Sequence, residues 1–483
     1  MSGFSRREVF GSLCAGALGI LALGRQRAQA AVAQPHIPAA DIASLAGRKN
    51  KTRLYQLYLA KSTEVIGWPY QKYDHVSRAK VFKERLNGIS DIEWAGGEII
   101  ETAEGIPDLK GKIEDCDGLV VVVLTSPARG LEPLTKMGLK TPTLVFNDLF
   151  CGDCSFLGFQ KRAAESGMKL VSLSSEDLGL LERKIQLLRT AARLRRSKII
   201  CFADRDREDT AFFQGAKDNL GIEIIQMGSK EINPLFEKAD RAEAKRIAET
   251  WVKMADKVVE PSFDNIVDSA RMYMAIKQLM DQEKANAATM DCLTMVYGKK
   301  ISSYPCLAFV QLNDDGYVGA CEADLPSTLT MLLVGLLADR PGFISDPVLD
   351  TEAGLIYHAH CVAATRMAGL SAVREHYNIR THSEDRSGVS VEVKFTPGPI
   401  ITAAKYVPFD RMLVSTGEIV GNKVTDLACR SKMVTLVPKE GIRKMLDNYS
   451  GGLHRVIFYG DHVEDLKDLG KLLNFSVVEE TRV

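Results

Sequence analysis

The stretch Gly118-Leu119-Val120-Val121-Val122-Val123-Leu124 decides the fold, because it is an uninterrupted run of apolar and mostly β-branched side chains. Such a run, without polar alternation, is typical of a strand buried on both faces of a parallel sheet. Segments 143–146 and 169–173 repeat the pattern, and helical sequence such as 156–166 lies between strands. The alternation predicts a doubly wound α/β domain.

A second unit of the same kind follows a basic helical stretch at 182–196, which we interpret as a solvated or interdomain helix face. Its strands are predicted at 198–203 and 222–226, with helix-rich sequence from 238 to 285. No Walker loop or glycine-rich dinucleotide fingerprint follows a predicted strand, so the sequence does not favour ATP or NAD binding.

The sequence pattern changes after about residue 290, where short apolar runs alternate with turns that contain Gly, Pro or Asn-Asp. Strands are predicted there at 307–312, 317–321, 389–395, 411–416 and 433–437. The predicted fold class is therefore α/β, with two doubly wound, Rossmann-like domains followed by a mainly β domain. The predicted segments are a signal peptide (1–30), an N-terminal arm (31–52), a first α/β domain (53–196), a second α/β domain (197–288) and a mainly β catalytic domain (289–483).

The N-terminus carries the pattern of an export signal. Ser5-Arg6-Arg7-Glu8-Val9-Phe10 precedes a mildly apolar segment and the small-residue stretch Ala28-Gln29-Ala30. The arginine pair indicates the twin-arginine export machinery, with cleavage after Ala30. We therefore expect a periplasmic or extracellular protein that is not held in a membrane after processing.

The net charge and the cysteine content exclude few classes of function. Lys and Arg together number 62, as do Asp and Glu, so the net charge of zero does not favour nucleic acid as a partner. The stretch Cys151-Gly152-Asp153-Cys154 has redox or metal spacing, but no second such pair completes a structural zinc site. A disulfide and two loop thiols both remain open there.

Metal-competent side chains occur at predicted strand ends or turns in four segments of the C-terminal half. They are Asp291, the pair Glu322 and Asp324, the run from His358 to His360, and His454. Carboxylates combined with imidazoles suit an octahedral cation such as Mn²⁺ or Mg²⁺ better than tetrahedral zinc.

Two acids in the stretch Gly319–Thr328, GACEADLPST, can each be interpreted in two ways. Glu322 follows an apolar run and is either a solvated loop acid or a buried site residue, and the pattern by itself leaves both open. Asp324 is either the N-cap of a helix spanning 328–337 or a partner that raises the pKa of Glu322. We favour the cap, because Pro326 lies near the first turn.

These segments resemble the C-terminal domain of the L-fucose isomerase and L-arabinose isomerase superfamily. The resemblance covers about residues 285–478 and is carried by "PCLAFVQLNDDGYVGACEADLPSTLTMLL", "FISDPVLD", "YHAHCVAA", "THSEDRSGVSVEVKF", "RMLVSTGEIV" and "GGLHRVIFYGDH". It implies a metal-dependent aldose–ketose isomerase that acts on an open-chain sugar through a cis-enediol. It also implies one divalent cation, Mn²⁺ with Mg²⁺ or Co²⁺ as alternatives, and a homotrimer or homohexamer.

The resemblance also implies roles for individual residues. Glu322 and Asp291 would be the catalytic carboxylates, and Asp291, Glu322, His360 and His454 would be the metal ligands. The residues assigned to substrate binding are His382, Asp324 and Arg455.

Two departures from the family pattern leave the substrate, and retention of catalysis, open. Asp291 is one methylene shorter than the usual Glu, and Arg455 stands where a second histidine is expected. Arg455 would pair with an acid or a substrate hydroxyl, and His382 would line the pocket or belong to a turn. The alternative functions are an epimerase or lyase with the same metal–enediolate chemistry, and a non-catalytic exported carbohydrate-binding protein.

Overall fold

The structure, a computed structural model, describes residues 51–204 and 209–482. The predicted export signal and nearly all of the predicted arm lie outside the described residues. Within the described ranges, no helix is long and apolar enough to cross a membrane.

The first unit contains the valine-rich strand. Its elements are β1 (Thr52–Leu59), α1 (His75–Asn87), β2 (Ile92–Ile100), a 3-10 turn (Pro107–Leu109), α2 (Lys110–Glu114), β3 (Gly118–Val123), α3 (Leu131–Lys136), β4 (Thr143–Asp148), α4 (Asp153–Glu165), β5 (Leu170–Ser175) and α5 (Leu178–Leu194). The strands form a parallel sheet in the order β2-β1-β3-β4-β5. Strand β3 lies at its centre and every residue of it is buried, as the apolar run predicts.

The second unit is a four-stranded parallel sheet in the order β10-β9-β6-β7. Its elements are β6 (Lys198–Phe202), α6 (Thr210–Leu220), β7 (Glu223–Met227), α7 (Ser229–Lys238), α8 (Arg241–Met254), β8 (Lys257–Val258), α9 (Phe263–Glu283), β9 (Ala287–Met290), α10 (Cys292–Tyr297), α11 (Cys306–Asp314), β10 (Val318–Ala320) and α12 (Leu325–Ala338). The sheet therefore takes strands from both sides of the predicted boundary at residue 288. Strand β10 leads directly into the segment that contains Glu322.

One predicted strand is wrong. Segment 307–312 lies in helix α11, and all nine residues of that helix are buried. A helix that is buried all round shows no polar face, so its sequence reads as a continuous apolar run. Periodicity alone does not separate such a helix from a buried strand.

The third unit is mainly antiparallel. Its elements are β11 (Phe343–Asp350), β12 (Leu355–His360), β13 (His376–Arg380), β14 (Ser390–Lys394), β15 (Ile400–Val407), β16 (Arg411–Asn422), β17 (Ser431–Leu436), α13 (Lys439–Asp447), β18 (Arg455–Tyr459), α14 (Val463–Leu473) and β19 (Ser476–Glu479). The large sheet has the order β15-β18-β11-β12-β17-β16-β19, and a further pairing of β15 with β16 closes six strands into a ring. Two parallel α/β sheets followed by this region confirm the predicted fold class.

Helix α5 joins the first unit to the third. Lys184 places its Nζ 2.8 Å from Asp465 Oδ1 on α14 and also contacts Asp468. Gln186 donates a hydrogen bond to the carbonyl of Leu336 on α12, at 2.7 Å. These contacts fit the interpretation of the basic stretch as an interdomain helix face.

Candidate metal centre

Glu322, His360 and His454 come together from three separate elements. Glu322 lies in the connection from β10 to α12, His360 ends β12, and His454 immediately precedes β18. One potential ligand atom from each residue lies within 4.8 Å of the others. The two imidazole rings meet edge-on, with their centroids 5.3 Å apart.

The backbone around Glu322 is strained. Strand β10 ends at Ala320, and Glu322 and Ala323 then adopt positive φ angles of 63° and 49°. Such angles are uncommon for residues other than glycine and cost free energy, and they occur preferentially at functional sites. The turn brings Glu322 Oε1 to 3.5 Å from His360 Nε2 and Oε2 to 3.5 Å from His454 Nε2.

The structure adds Asp346, a residue that the sequence reasoning missed. Asp346 lies on β11 opposite Ala359 of β12, and its Oδ1 is 3.2 Å from His454 Nε2. A signal was present in the sequence, because an acid follows closely on the two apolar residues that open this strand, with only Ser345 between them. The centre therefore contains two carboxylates and two imidazoles.

The carboxylates and imidazoles shift one another's pKa values. Burial lowers the pKa of His454, but the contact with Asp324 and the proximity of Asp346 outweigh burial and raise that pKa to about 9. Burial is likewise outweighed at His360, whose pKa is raised by the nearby Glu322. The nearby His360 lowers the pKa of Glu322 despite burial. Glu322 is therefore ionised at neutral pH.

Three nitrogens of the centre fit a metal ion. His360 Nδ1, His360 Nε2 and His454 Nε2 are buried without an aligned hydrogen-bond partner, although acids lie close to the two Nε2 atoms. Buried polar atoms are hydrogen-bonded in the great majority of cases, so an unpartnered cluster points to a missing ligand. Carboxylate and imidazole donors together suit a hard or borderline divalent cation.

His358, two residues before His360 on β12, is a structural histidine. Its Nε2 lies 3.0 Å from Thr435 Oγ1 and its Nδ1 lies 3.4 Å from Ser345 Oγ. Burial lowers the pKa of His358 to about 3, so the ring is neutral. Both of its nitrogens thus have hydroxyl neighbours, whereas those of His360 do not.

Asp324 caps a helix and also contacts the centre. Its Oδ1 accepts a hydrogen bond from the Ser327 N–H at 2.9 Å at the start of α12, which confirms the predicted N-cap. Its Oδ2 lies 2.8 Å from His454 Nδ1 and accepts from Lys405 Nζ at 2.8 Å. The structure therefore places Asp324 behind His454, whereas the sequence assigned it to substrate binding.

Arg455 turns away from the centre. Its side chain is fully buried and binds the Glu480 carboxylate through Nε and Nη2, at 2.8 and 2.7 Å. The remaining donors bind backbone carbonyls of the loop before β18, and the guanidinium stacks over Tyr449. A guanidinium engaged in this way has no donor left for a sugar, so the predicted substrate contact is replaced by pairing with an acid.

Two further predicted residues border the centre. Asp291 begins α10 at the carboxyl end of β9, and its carboxylate is not one of the three ligand atoms grouped within 4.8 Å in the described part of the chain. His382 is buried and stacks on Tyr304, with ring centroids 4.8 Å apart. Burial lowers the pKa of His382, but contact with Cys361, the neighbour of His360, raises it to about 8.

The cysteines of this region behave as small buried side chains. Those nearest the predicted site residues are buried and free, and they are Cys292, Cys306, Cys321 and Cys361. Cys151 and Cys154 are also unbridged in the structure.

The structure has one cavity next to the candidate metal ligands and another that is separate from them. One of about 250 Å³ adjoins the Glu322 loop through Ala323 and Pro326, at the carboxyl ends of β6 and β7, where open α/β sheets bind ligands. Another of about 590 Å³ is lined by Thr416, Pro438 and Thr481 and includes none of the candidate ligands. We assign the chemistry by the ligand cluster, and the larger cavity takes no part in it.

Comparison with known proteins finds similarity to sugar isomerases. Sulfoquinovose isomerase of Priestia aryabhattai is 25% identical over 310 residues, which are 61% of this chain and 67% of that protein. That of Clostridium sp. (strain MSTE9) is 23% identical over 268 residues, 52% of this chain and 58% of its own. That of Alkalicoccus urumqiensis is 21% identical over 214 residues, 44% of this chain and 48% of its own. No family model matches the chain.

These relatives support an isomerase. The prediction of an isomerase enzyme is confirmed at this level of similarity. The chain spans about half to two thirds of the length of the relatives.

Proposed function

We propose that this chain is a divalent-metal-dependent aldose–ketose isomerase whose substrate is the open-chain form of a sulfonated hexose such as sulfoquinovose. One observation supports the metal chemistry above all others: Glu322, His360 and His454 present ligand atoms within 4.8 Å of one another. The names of the relatives supply the substrate class.

The residues divide the chemistry between them. A divalent cation held by Glu322, Asp346, His360 and His454 would polarise adjacent oxygens of the sugar chain. Isomerisation moves one proton from C2 to C1 and another from the C2 hydroxyl to the carbonyl oxygen, through an enediol. Glu322, ionised at neutral pH, can take the proton from C2 and return it to C1. Asp346 offers a second carboxylate for the transfer between oxygens.

The test is a product analysis by NMR with matched substrates. Metal-free protein is reconstituted with Mn²⁺ and supplied with sulfoquinovose or glucose, which differ only in the group on C6. We expect about one Mn²⁺ per chain and conversion of sulfoquinovose to its ketose, with glucose converted far more slowly. A product with C2 inverted, or a shorter chain, would instead identify an epimerase or a lyase.

Two variants test whether the candidate metal centre, and not the protein surface, carries the activity. Glu322→Gln should abolish turnover and weaken Mn²⁺ binding. Glu352→Gln, in which an exposed acid paired with Arg443 is changed in the same way, should leave both intact. Absence of any bound divalent metal in reconstituted wild-type protein sinks the proposal. Sugar and metal binding without turnover would support the carbohydrate-binding alternative.

Export and assembly are proposals as well. We propose passage through the twin-arginine route, which the N-terminal sequence predicts, and a homotrimer or homohexamer, which the family resemblance implies. Cell fractionation of an Arg6→Lys, Arg7→Lys variant tests the first, which fails if export continues. Light scattering of the mature protein tests the second, which fails if the mass stays monomeric at all concentrations.

A further inference from the structure

Three donors converge on a single carboxylate oxygen beside the candidate centre. Asp324 Oδ2 accepts from Ser327 Oγ at 2.7 Å and from Lys405 Nζ at 2.8 Å, and it lies 2.8 Å from His454 Nδ1. The Lys405 side chain is only 2% exposed and that of His454 only 7%, so water competes little for these contacts.

The contacts show that Nδ1 of His454 carries a hydrogen. An ionised carboxylate only accepts hydrogen bonds, and here the ammonium of Lys405 holds it in that form. Nδ1 of His454 must therefore be the donor to Asp324. The opposite nitrogen, Nε2, is the one that lies close to Glu322 and Asp346.

We propose that Asp324, held in place by Lys405, is a positioning residue that orients His454 with Nδ1–H toward the carboxylate and Nε2 toward the candidate ligand group. A carboxylate that accepts from the far nitrogen of a metal-binding histidine fixes both ring orientation and tautomer. The part of this inference that concerns metal affinity rests on the proposed function. The hydrogen-bond geometry stands without it.

The charges around His454 agree with this role. Glu322, Asp324 and Asp346 contribute three negative charges and Lys405 contributes one positive charge, so these four side chains together carry a formal net charge of minus two. That charge is equal and opposite to the charge of a divalent cation. Lys405 is thus the countercharge that allows a third carboxylate to be buried beside the two candidate ligands.

The loop before His454 is shaped to pass over Lys405. Gly451 and Gly452 both have positive φ angles, 75° and 89°. A Cβ on Gly451 would lie 2.7 Å from Val407 Cγ2, and one on Gly452 would lie 3.8 Å from Lys405 Nζ. The glycine pair therefore allows the loop to approach β15 closely enough for His454 to reach Asp324.

Capping alone does not account for Asp324. Asp240 caps α8 by accepting from the backbone N–H groups of Ala242 and Glu243. Asp324 makes the same kind of backbone contact at α12, and in addition binds the lysine and the histidine. Asp240→Asn is therefore the matched control for the capping part of Asp324→Asn.

The first test uses NMR of the metal-free protein with ¹⁵N-labelled histidine. We expect His454 to show a slowly exchanging, strongly deshielded Nδ1 proton that is lost in Asp324→Asn and unchanged in Asp240→Asn. A rapidly exchanging Nδ1 proton in the wild type would overturn the inference. This outcome does not depend on the proposed function, because no metal or substrate is present.

The second test measures Mn²⁺ affinity by calorimetry. Asp324→Asn should weaken binding by roughly ten- to a hundredfold, the range expected when a partner behind a metal-binding histidine is lost. Ser327→Ala removes a donor to Asp324 and an acceptor of Lys405 but leaves the contact between Asp324 and His454. It should change the affinity by less than about threefold, as expected when a metal-binding histidine keeps its own partner. Equal losses in both variants would show that the helix start matters and the histidine contact does not.

A double variant tests the part assigned to Lys405. Because Lys405 acts through Asp324, the combined Lys405→Met and Asp324→Asn variant should bind Mn²⁺ no more weakly than Asp324→Asn alone. Additive losses would overturn that part. Wild-type protein that shows the protected Nδ1 proton but binds no Mn²⁺ would refute the proposed function and leave the positioning geometry standing.

Discussion

Two buried polar clusters of the C-terminal half differ in how completely they are satisfied. In the first, Asp314 Oδ1 accepts from the Thr365 and Arg366 N–H groups at 2.8 and 2.9 Å, and Oδ2 accepts from Thr365 Oγ1 and from the Arg374 guanidinium. Both of its oxygens thus have two donors. In the second, the candidate metal centre, three buried histidine nitrogens have no aligned partner.

The difference separates two uses of buried polar groups. In a saturated cluster, hydrogen bonds within the protein replace those that the buried groups lose to water. The cluster therefore holds together the segments that supply its donors. An unsaturated cluster carries an uncompensated cost that a bound ligand can recover. We therefore expect substitutions in the first cluster to act on folding, and those in the second to act on binding.

The largest effect is expected at the saturated cluster. Asp314→Ala should lower the free energy of unfolding by roughly 3–5 kcal/mol, because it leaves the buried Arg374 charge and two N–H groups unpaired. Urea unfolding measures this loss. Asp410→Ala, which breaks an exposed pair with Arg411, should stay within about 0.5 kcal/mol. An equally small loss in Asp314→Ala would contradict the distinction.

The next largest effect is expected at His360. His360→Gln should weaken Mn²⁺ binding by at least about a hundredfold, since a ligand is lost, and should leave the melting temperature of the metal-free protein unchanged. His358→Gln is the control from the same strand. It should lower the melting temperature and keep Mn²⁺ affinity, because His358 bonds only to protein hydroxyls. The opposite pattern would reverse the two assignments.

An intermediate effect is expected where α5 meets α14. Burial raises the pKa of Asp468, but Lys184 and Lys471 outweigh it, and the pKa in the folded protein is lowered. The stability from this group is therefore present above the ordinary carboxyl pKa and is lost as the pH falls through the lowered value.

Asp468→Asn should accordingly lose about 1 kcal/mol at pH 7, and the wild-type advantage should disappear as the pH falls through the lowered pKa of Asp468. Urea unfolding of both proteins across that range measures the difference. An advantage that persists in acid would show that packing, and not the charge of Asp468, supports the contact.

The smallest effect is expected at the surface. Cys154 is an exposed thiol, whereas the four cysteines near the centre are buried. Cys154→Ser should change stability by less than about 0.5 kcal/mol. In the wild type, a thiol reagent should label Cys154 first and reach the buried thiols only on unfolding. Early labelling of the buried group would show that the centre opens in the folded protein.

Three strands of the first unit, β3, β4 and β5, were predictable because the information is local. Strand β3 is buried from end to end, and a valine run records that burial directly. Helix α11 was not predictable in the same way, because complete burial removed the polar face by which a helix is recognised. The N-cap at Asp324 was predictable, because a cap and its helix are neighbours in sequence.

The centre was predictable only in part. Sequence patterns marked Glu322, His360 and His454 one at a time, and the family resemblance, not their spacing, grouped them. Asp346 was missed because one acid on a strand resembles the solvent-facing residue of an alternating pattern. Lys405 was missed because a single charged residue on a strand also looks solvent-facing. Its partner Asp324 lies 81 residues away, so no local pattern links the two.

The route by which Glu322 reaches the centre limits how this chemistry can be moved between proteins. Glu322 follows a strand of the second sheet, whereas Asp346, His360 and His454 belong to the ring of the third. The candidate ligands thus come from two sheets, and a recombination point between residues 322 and 346 would separate Glu322 from the other three. A chimera carrying residues 343–482 on another scaffold would inherit three of the four candidate ligands. The second and third sheets must therefore stay together for the centre to be complete.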